Sequence, residues 1–471
     1  MPGLRFRPLE DNFPLSRKIK KQREAEMPKR RNFIALFAVL LTAVFGRLAE
    51  ARAPDGFVAV EKGHFSIDGH PYVFAGTNYW HGAYLGDSDP ERLVRELDFL
   101  RDNGITNLRV LALSELSELS RSVKPAFINK PGAYNEKLLR GLDRLLVEMA
   151  KRDMKAVLYL TNFWQWSGGM SQYLAWHNGG KIHDPDVDGK WNQFMDNSAL
   201  FYRCAPCQQQ YLQAIAKLTS RTNHLSGEKY RDDPTIMSWQ LANEPRPGSD
   251  ASYGEERSQH YIRWINDTAK AIKQLAPKQL VSSGSEGIMG SQQHAELYSA
   301  SHDTPYIDYL TVHLWIKNWS WFDIQDPEST YPEALRKSRD YLQRHIEIAG
   351  RLGKPLVLEE FGVERDGGSF SPEAGTQYRD RFLGEIYALI EKNRKENGPF
   401  SGSNFWTFAG YGRAASADAI WKAGDAFLGD PPQEPQGLNS VFDSDSSTLA
   451  IISGHADRIA EITLALKASA E

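Results

Sequence analysis

Cysteine is almost missing from this chain, with 2 in 471 residues. The pair, Cys204 and Cys207, stands as Cys-Ala-Pro-Cys without the second ligand pair of a zinc site or the strand–helix–strand context of a redox site. A local disulfide is the expected state in an exported protein. Charge of one sign is missing too: 56 Lys and Arg against 60 Asp and Glu leave −4. That balance offers no basic face for nucleic acid and no strong field to steer a charged ligand, so a neutral substrate fits best. No Ser- or Pro-rich linker and no internal repeat divides the chain, which reads as a single catalytic domain, expected as a monomer, over residues 54–471. The apolar stretch Phe33–Phe45 falls short of the roughly 20 residues that a membrane span requires. With Lys29-Arg30-Arg31 before it and Ala51-Arg52-Ala53 after it, residues 27–53 read as a secretory signal cut near Ala53, behind an upstream extension over 1–26. The mature protein is expected to be secreted or periplasmic and free of the membrane.

What is present is aromatic and periodic. The chain holds 12 Trp and 19 Tyr, rings whose apolar faces and polar edges suit stacking on sugars. Eight apolar runs recur: Tyr72–Asn78, Thr106–Leu113, Ala156–Thr161, Ile236–Ala242, Leu280–Gly284, Tyr309–His313, Leu356–Phe361 and Ser403–Phe408. Between them lie helical spacings, clearest at Pro90–Asn103, Glu136–Arg152, Gln209–Thr222, Gln259–Gln274, Pro332–Leu352 and Thr376–Asn393. Strands alternating with helices, each strand nearly continuously apolar, predict a (β/α)8 barrel. A doubly wound sheet wants a Gly-rich phosphate turn after its first strand, and Gly76-Thr77-Asn78-Tyr79-Trp80 offers none.

In such a barrel the chemistry sits at the C-terminal ends of the strands. There the sequence places Trp80 and His81 (run 1), Arg109 (run 2), Asn162 and Trp164 (run 3), Asn243, Glu244 and Arg246 (run 4), Glu286 (run 5), His313 and Trp315 (run 6), Glu359 and Glu360 (run 7) and Trp406 (run 8). Glutamates ending runs 4 and 7 face each other across the mouth, and two carboxylates are the minimal machinery of glycoside cleavage. Strand side chains alternate, so only one of Glu359 and Glu360 is expected to point into the mouth. Glu244 as acid needs a proton near neutral pH, and Glu360 as nucleophile needs to stay ionised. Arg109 is expected to hold Glu360 ionised, and Asn243 to bind the sugar 2-hydroxyl. No His-x-His or His/Asp cluster at the strand ends supports a metal, and no cofactor is expected.

Leu241-Ala242-Asn243-Glu244-Pro245-Arg246 and Leu358-Glu359-Glu360-Phe361-Gly362, with Arg109, His313 and Trp406 in order, resemble glycoside hydrolase family 5 of clan A over residues 55–450. The closest likeness is to its endo-β-1,4-mannanases, carried by Gly76–Trp80, Arg246 and the segment Gly429–Gly437 with Asp443–Ser446. The resemblance implies a retaining mechanism with Glu244 as acid/base and Glu360 as nucleophile. It also implies a β-mannan substrate, with Arg246 at a leaving-group subsite; by their strand-end places Trp406, Trp164 and Trp80 are expected as sugar platforms, with core packing as the alternative. One position departs: where the family carries His-x-Tyr, this chain has His313-Leu314-Trp315, and an indole N–H donates a hydrogen bond but accepts none. An endo-β-1,4-glucanase or exo-β-mannosidase on the same barrel, and a non-catalytic carbohydrate-binding barrel, are the alternatives.

Overall fold

The computed structural model describes residues 55–179 and 182–470; the expected leader over 27–53 and extension over 1–26 lie outside the described residues. Eight strands form one parallel sheet: β1 (Phe74–Asn78), β2 (Asn107–Leu111), β3 (Lys155–Tyr159), β4 (Ile236–Gln240), β5 (Leu280–Ser282), β6 (Leu310–Leu314), β7 (Leu356–Phe361) and β8 (Phe400–Phe405). The hydrogen-bonded order is β5-β4-β3-β2-β1-β8-β7-β6. The two end strands also meet: Asp308 N donates to Val281 O at 2.8 Å and His313 N to Glu286 O at 3.0 Å. These bonds close the sheet into the (β/α)8 barrel that the alternation predicts.

One helix follows each strand on the outside: α1 (Pro90–Asp102), α2 (Glu136–Ala150), α3 (Ala205–Thr219), α4 (Glu255–Leu275), α5 (Ala295–His302), α6 (Pro327–Leu352), α7 (Gln377–Lys395) and α8 (Ser446–Ala470). The start of α1 follows the sequence signal, since Asp89 accepts from Arg92 N at 3.1 Å and Pro90 opens the helix. Helix α6 begins five residues earlier than the expected Pro332, because Pro327 takes the first-turn position where a missing N–H costs nothing. Helix α5 is too short to carry a clear periodicity. Helix α8 docks through His455, which stacks on Tyr387 at 3.9 Å and bonds Glu391 at 2.8 Å.

A three-stranded antiparallel sheet, Val58–Glu61, His64–Ile67 and His70–Pro71, precedes β1. Tyr72, expected to open the first strand, instead leaves this sheet through its N–H to Phe65 O. Phe65 meets Tyr309 edge-on at 5.2 Å and packs with Phe74, Met237, Leu280 and Val357 from the strand starts. The small sheet therefore floors the barrel and leaves the opposite end free for the site. Two long excursions rise around that end. One, after β3, carries helices Gly169–Asn178 and Trp191–Ser198 and ends at the Cys204–Cys207 disulfide, whose Cα atoms lie 5.3 Å apart. The other follows β8 and runs to Val441. Among the described residues no helix is long and apolar enough to cross a membrane.

Replacing Phe65 by Ala removes the ring that fills the floor. Urea unfolding is expected to show a loss of about 3 to 4 kcal/mol with the kinetic constants of the folded enzyme unchanged, since the ring lies at the end of the barrel away from the catalytic mouth.

Candidate active site

The open end of the barrel forms a cleft of about 650 Å³ whose walls include Trp164, Asn243, Glu244, Arg246, Glu286, Trp315, Glu360 and Trp406. Arg109 lies beneath it, fully buried. Its guanidinium bonds the Glu360 carboxylate, gives Nη2 to Asn243 Oδ1 at 2.8 Å, Nη1 to Asn78 Oδ1 at 3.1 Å and Nε to Gln240 Oε1 at 2.7 Å. One cation from β2 thus ties β1, β4 and β7 together at the level where the reaction must occur.

Glu244 leaves the end of β4 with φ 48° and its N–H bonded to Gly284 O at 2.9 Å. A non-glycine residue in this left-handed region is uncommon and marks a side chain aimed by its surroundings. Its Oε1 meets His313 Nδ1 at 2.6 Å and its Oε2 accepts from Trp164 Nε1 at 2.6 Å. Glu360 faces it, with Oε2 taking a bond from Trp315 Nε1 at 3.3 Å. Oxygens of Glu244 and Glu360 and a nitrogen of His313 lie within 4.8 Å of one another. An oxygen–oxygen approach within that limit is in keeping with the about 5–5.5 Å between carboxyl groups in retaining glycosidases.

A scan of family models matches residues 55–463 to glycoside hydrolase family 5, β-mannosidase-like. The chain belongs to that family. Its barrel aligns with the family 5 mannosidase of Rhizomucor miehei at 34% identity and TM-score 0.79, covering 87% of this chain and 98% of that one. Mannan endo-1,4-β-mannosidase 3 of Solanum lycopersicum is 28% identical over 400 residues, 81% of this chain and 89% of its own. The endo-1,4-β-mannanase of Rhizomucor miehei shares the fold, with TM-score 0.61 at 21% identity, over 86% of this chain and 99% of that one. The protein is a glycoside hydrolase.

Within this family 5 enzyme the sequence-predicted residues divide. Arg109, Asn243, Glu244, His313, Trp315, Glu360 and Trp406 gather at the cleft or directly under it. Trp164 lines the wall but also bonds Glu244, a contact no sequence pattern announces. Arg246 pairs with Glu286, which also takes Trp319 Nε1 at 3.1 Å. Trp80 is not on the cleft: it is sealed among Tyr84, Trp166 and Phe427, with Nε1 on Gly429 O at 2.5 Å. His81 is buried beside it with neither ring nitrogen bonded. Trp166, two residues past Trp164, reaches the cleft in their place.

Only Glu360 of the two reaches the cleft, as expected, although Glu359 also turns inward toward Arg109 instead of outward as simple alternation would have it. The register of β6 on β7 shifts between Val312 and His313, leaving Glu359 as the extra residue of a bulge. Glu359 sits lower, with both oxygens 2.8 Å from Gln240 Nε2 and one 3.6 Å from Arg109 Nε. Glu434, from the excursion after β8, is a further carboxyl on the cleft wall. Burial, with Asp430 and Glu360 nearby, raises it to about 8. The sequence singled out its segment, but no spacing marked that residue.

The proton is also not where the sequence argument put it. Burial alone raises Glu244, but the hydrogen bond and charge of His313, aided by Arg246 and Trp164, outweigh it and hold the carboxyl at about 2. His313 loses by burial and gains more from Glu360, Glu244 and Glu359, reaching about 10. Glu360 is raised to about 7 by burial and by the charge of Glu244, against the downward pull of His313 and Arg109. The opposite shifts place the shared proton toward His313 Nδ1, 2.6 Å from Glu244. Moving it across that bond changes no net charge, so the pair acts as one proton store.

Glu244, His313 and Glu360 do form a three-ligand grouping that the sequence did not reveal. The donor set suits a metal poorly: Glu360 is held by Arg109, Glu244 by Trp164, and a ligating imidazole must be neutral. Chelation with EDTA is expected to leave turnover unchanged. The kcat/KM profile is expected to rise as pH passes about 7, where Glu360 ionises, and to fall toward 10 as the Glu244–His313 pair loses its proton. A His313→Gln profile with the same alkaline limb would separate the histidine from the proton store.

Proposed function

We propose that the protein is a retaining endo-β-1,4-mannanase, cutting internal bonds of mannan, glucomannan or galactomannan after export directed by residues 27–53. The carrying observation is the pair of carboxylates, with oxygens within 4.8 Å, set in a cleft walled by Trp164, Trp315 and Trp406. A neutral polymer gains its binding from such rings and from hydroxyl hydrogen bonds. The name mannan endo-1,4-β-mannosidase on plant relatives supports the sugar and the endo action, and a complex of the fungal mannosidase with mannosyl-fructose supports a mannosyl group in this type of site.

In this reading Glu360 attacks the anomeric carbon while the Glu244–His313 pair delivers its proton to the departing glycosidic oxygen. The mannosyl unit stays on Glu360 as an ester. The Glu244–His313 pair, now one proton short, takes a proton from water through Glu244, and the water oxygen displaces Glu360 and restores both groups. Arg109 steadies the charge on Glu360, and Trp315 orients its second oxygen. Asn243 spends its oxygen on Arg109 and one N–H on Asn162, at 3.2 Å, and offers its other N–H to the sugar 2-hydroxyl.

A second reading, an exo-β-mannosidase, is favoured by one observation: Pro431, Gln433 and Glu434 bring the excursion after β8 against the same cleft. A wall there shortens the room for a polymer. Purified protein offered linear mannan, galactomannan, glucomannan and carboxymethylcellulose is expected to prefer the mannans and release mixed short oligomers. Mannose alone from the first minutes selects the exo reading, and preference for cellulose overturns the sugar. Glu360→Ala is expected to lose at least a thousandfold in kcat (about 4 kcal/mol) and to regain part of it with azide. Full activity in that variant contradicts the assignment of the nucleophile.

A further inference from the structure

Trp191 is a large aromatic side chain on the cleft that the mechanism leaves unused. It opens the short helix Trp191–Ser198 and is 38% exposed, while most of the other tryptophans around the site are nearly covered. Its ring stands 6.1 Å from Trp164, inclined at 71°, and both rings lean on Phe194. Trp164 in turn holds the Glu244 carboxylate. The acid protonates the oxygen of the leaving group, so departing sugars lie on the Glu244 side. Trp191 is the next ring outward from that point.

The helix under it is held firmly. Asp196 accepts from Ser249 N at 3.0 Å and from Ser249 Oγ at 3.1 Å, tying the helix to the loop after β4. Ser198 Oγ donates to Phe163 O at 2.9 Å. A ring anchored this way binds a ligand without the cost of ordering it first. Acceptors line the same cleft: Asp186, fixed by Gln165 Nε2 at 2.8 Å, and the exposed Asp250. An exposed aromatic face on a cleft that also carries these carboxylates matches a sugar ring, apolar on its faces and rimmed with hydroxyl donors.

We propose that Trp191 is the platform of a distal leaving-group subsite for a β-1,4-linked hexose chain, one sugar beyond the unit that Trp164 touches. The inference rests on the mannan-cleaving function above and adds where the chain is gripped. It makes long substrates better than short ones through binding rather than chemistry.

The test compares wild type, Trp191→Ala and Trp191→Tyr on β-1,4-mannohexaose and on an aryl β-mannoside, whose leaving group fills only the position next to the bond cut. Trp191→Ala is expected to lose about tenfold in kcat/KM on the hexaose, the size of one aromatic contact, mainly through KM. The aryl substrate is expected to change by about twofold or less, and Trp191→Tyr to recover most of the loss. Mannohexaose binding to Glu360→Ala, measured by calorimetry with and without Trp191→Ala, is expected to weaken by the same factor. Equal losses on both substrates, no loss on either, or unchanged hexaose binding overturns the subsite. Failure of the underlying function looks different: wild-type protein that hydrolyses neither substrate, in which case the subsite falls with it.

Discussion

The site depends on a single buried cation. Arg109 sits where the barrel interior turns from apolar packing to chemistry, out of contact with water. A guanidinium there is tolerable only if its donors are matched, and the matching is what builds the site. Glu360 supplies the charge, while Asn78, Gln240 and Asn243 supply neutral oxygens from β1, β4 and the turn after β4. Each partner is fixed by a group that cannot move without exposing another unpaired polar atom. Even Asn78 passes the constraint on, giving Nδ2 to Glu359 O at 2.7 Å.

The two glutamates then differ by what stands beside them. Glu360 receives a permanent cation that carries no exchangeable proton at neutral pH. Glu244 receives His313, which can hand one over, and an indole N–H that cannot take one away. This asymmetry acts on top of the burial that both carboxylates share. It also explains why the replacement of the family tyrosine by Trp315 is compatible with the site: the indole keeps the donor toward Glu360, and proton transfer belongs to the Glu244–His313 pair.

Much of this was legible in the sequence because it follows from periodicity. Eight apolar runs gave eight barrel strands, and polar residues interrupting those runs at one end marked the mouth. That rule marks Glu244, Arg109, His313 and the pair Glu359–Glu360, and the family resemblance selects Glu360 from the pair. What escaped depends on contacts between distant segments. The bulge that turns Glu359 inward arises from the pairing of β7 with β6. Trp80, expected on the cleft, is sealed because the excursion after β8 covers it and takes its indole N–H on Gly429 O. Glu434 and Trp191 come from excursions with no strand-end position to flag them. The location of the proton was also hidden, since it is set by a 2.6 Å contact between residues 69 apart in the chain.

The proposed retaining mechanism commits the enzyme to one stereochemical course. Proton nuclear magnetic resonance of the anomeric signals during the first minutes of mannooligosaccharide hydrolysis reads that course before mutarotation scrambles it. The account predicts that the first product is the β-anomer, produced by two successive displacements at Glu360. Initial appearance of the α-anomer would mean a single displacement by water and would contradict both the nucleophile and the mechanism.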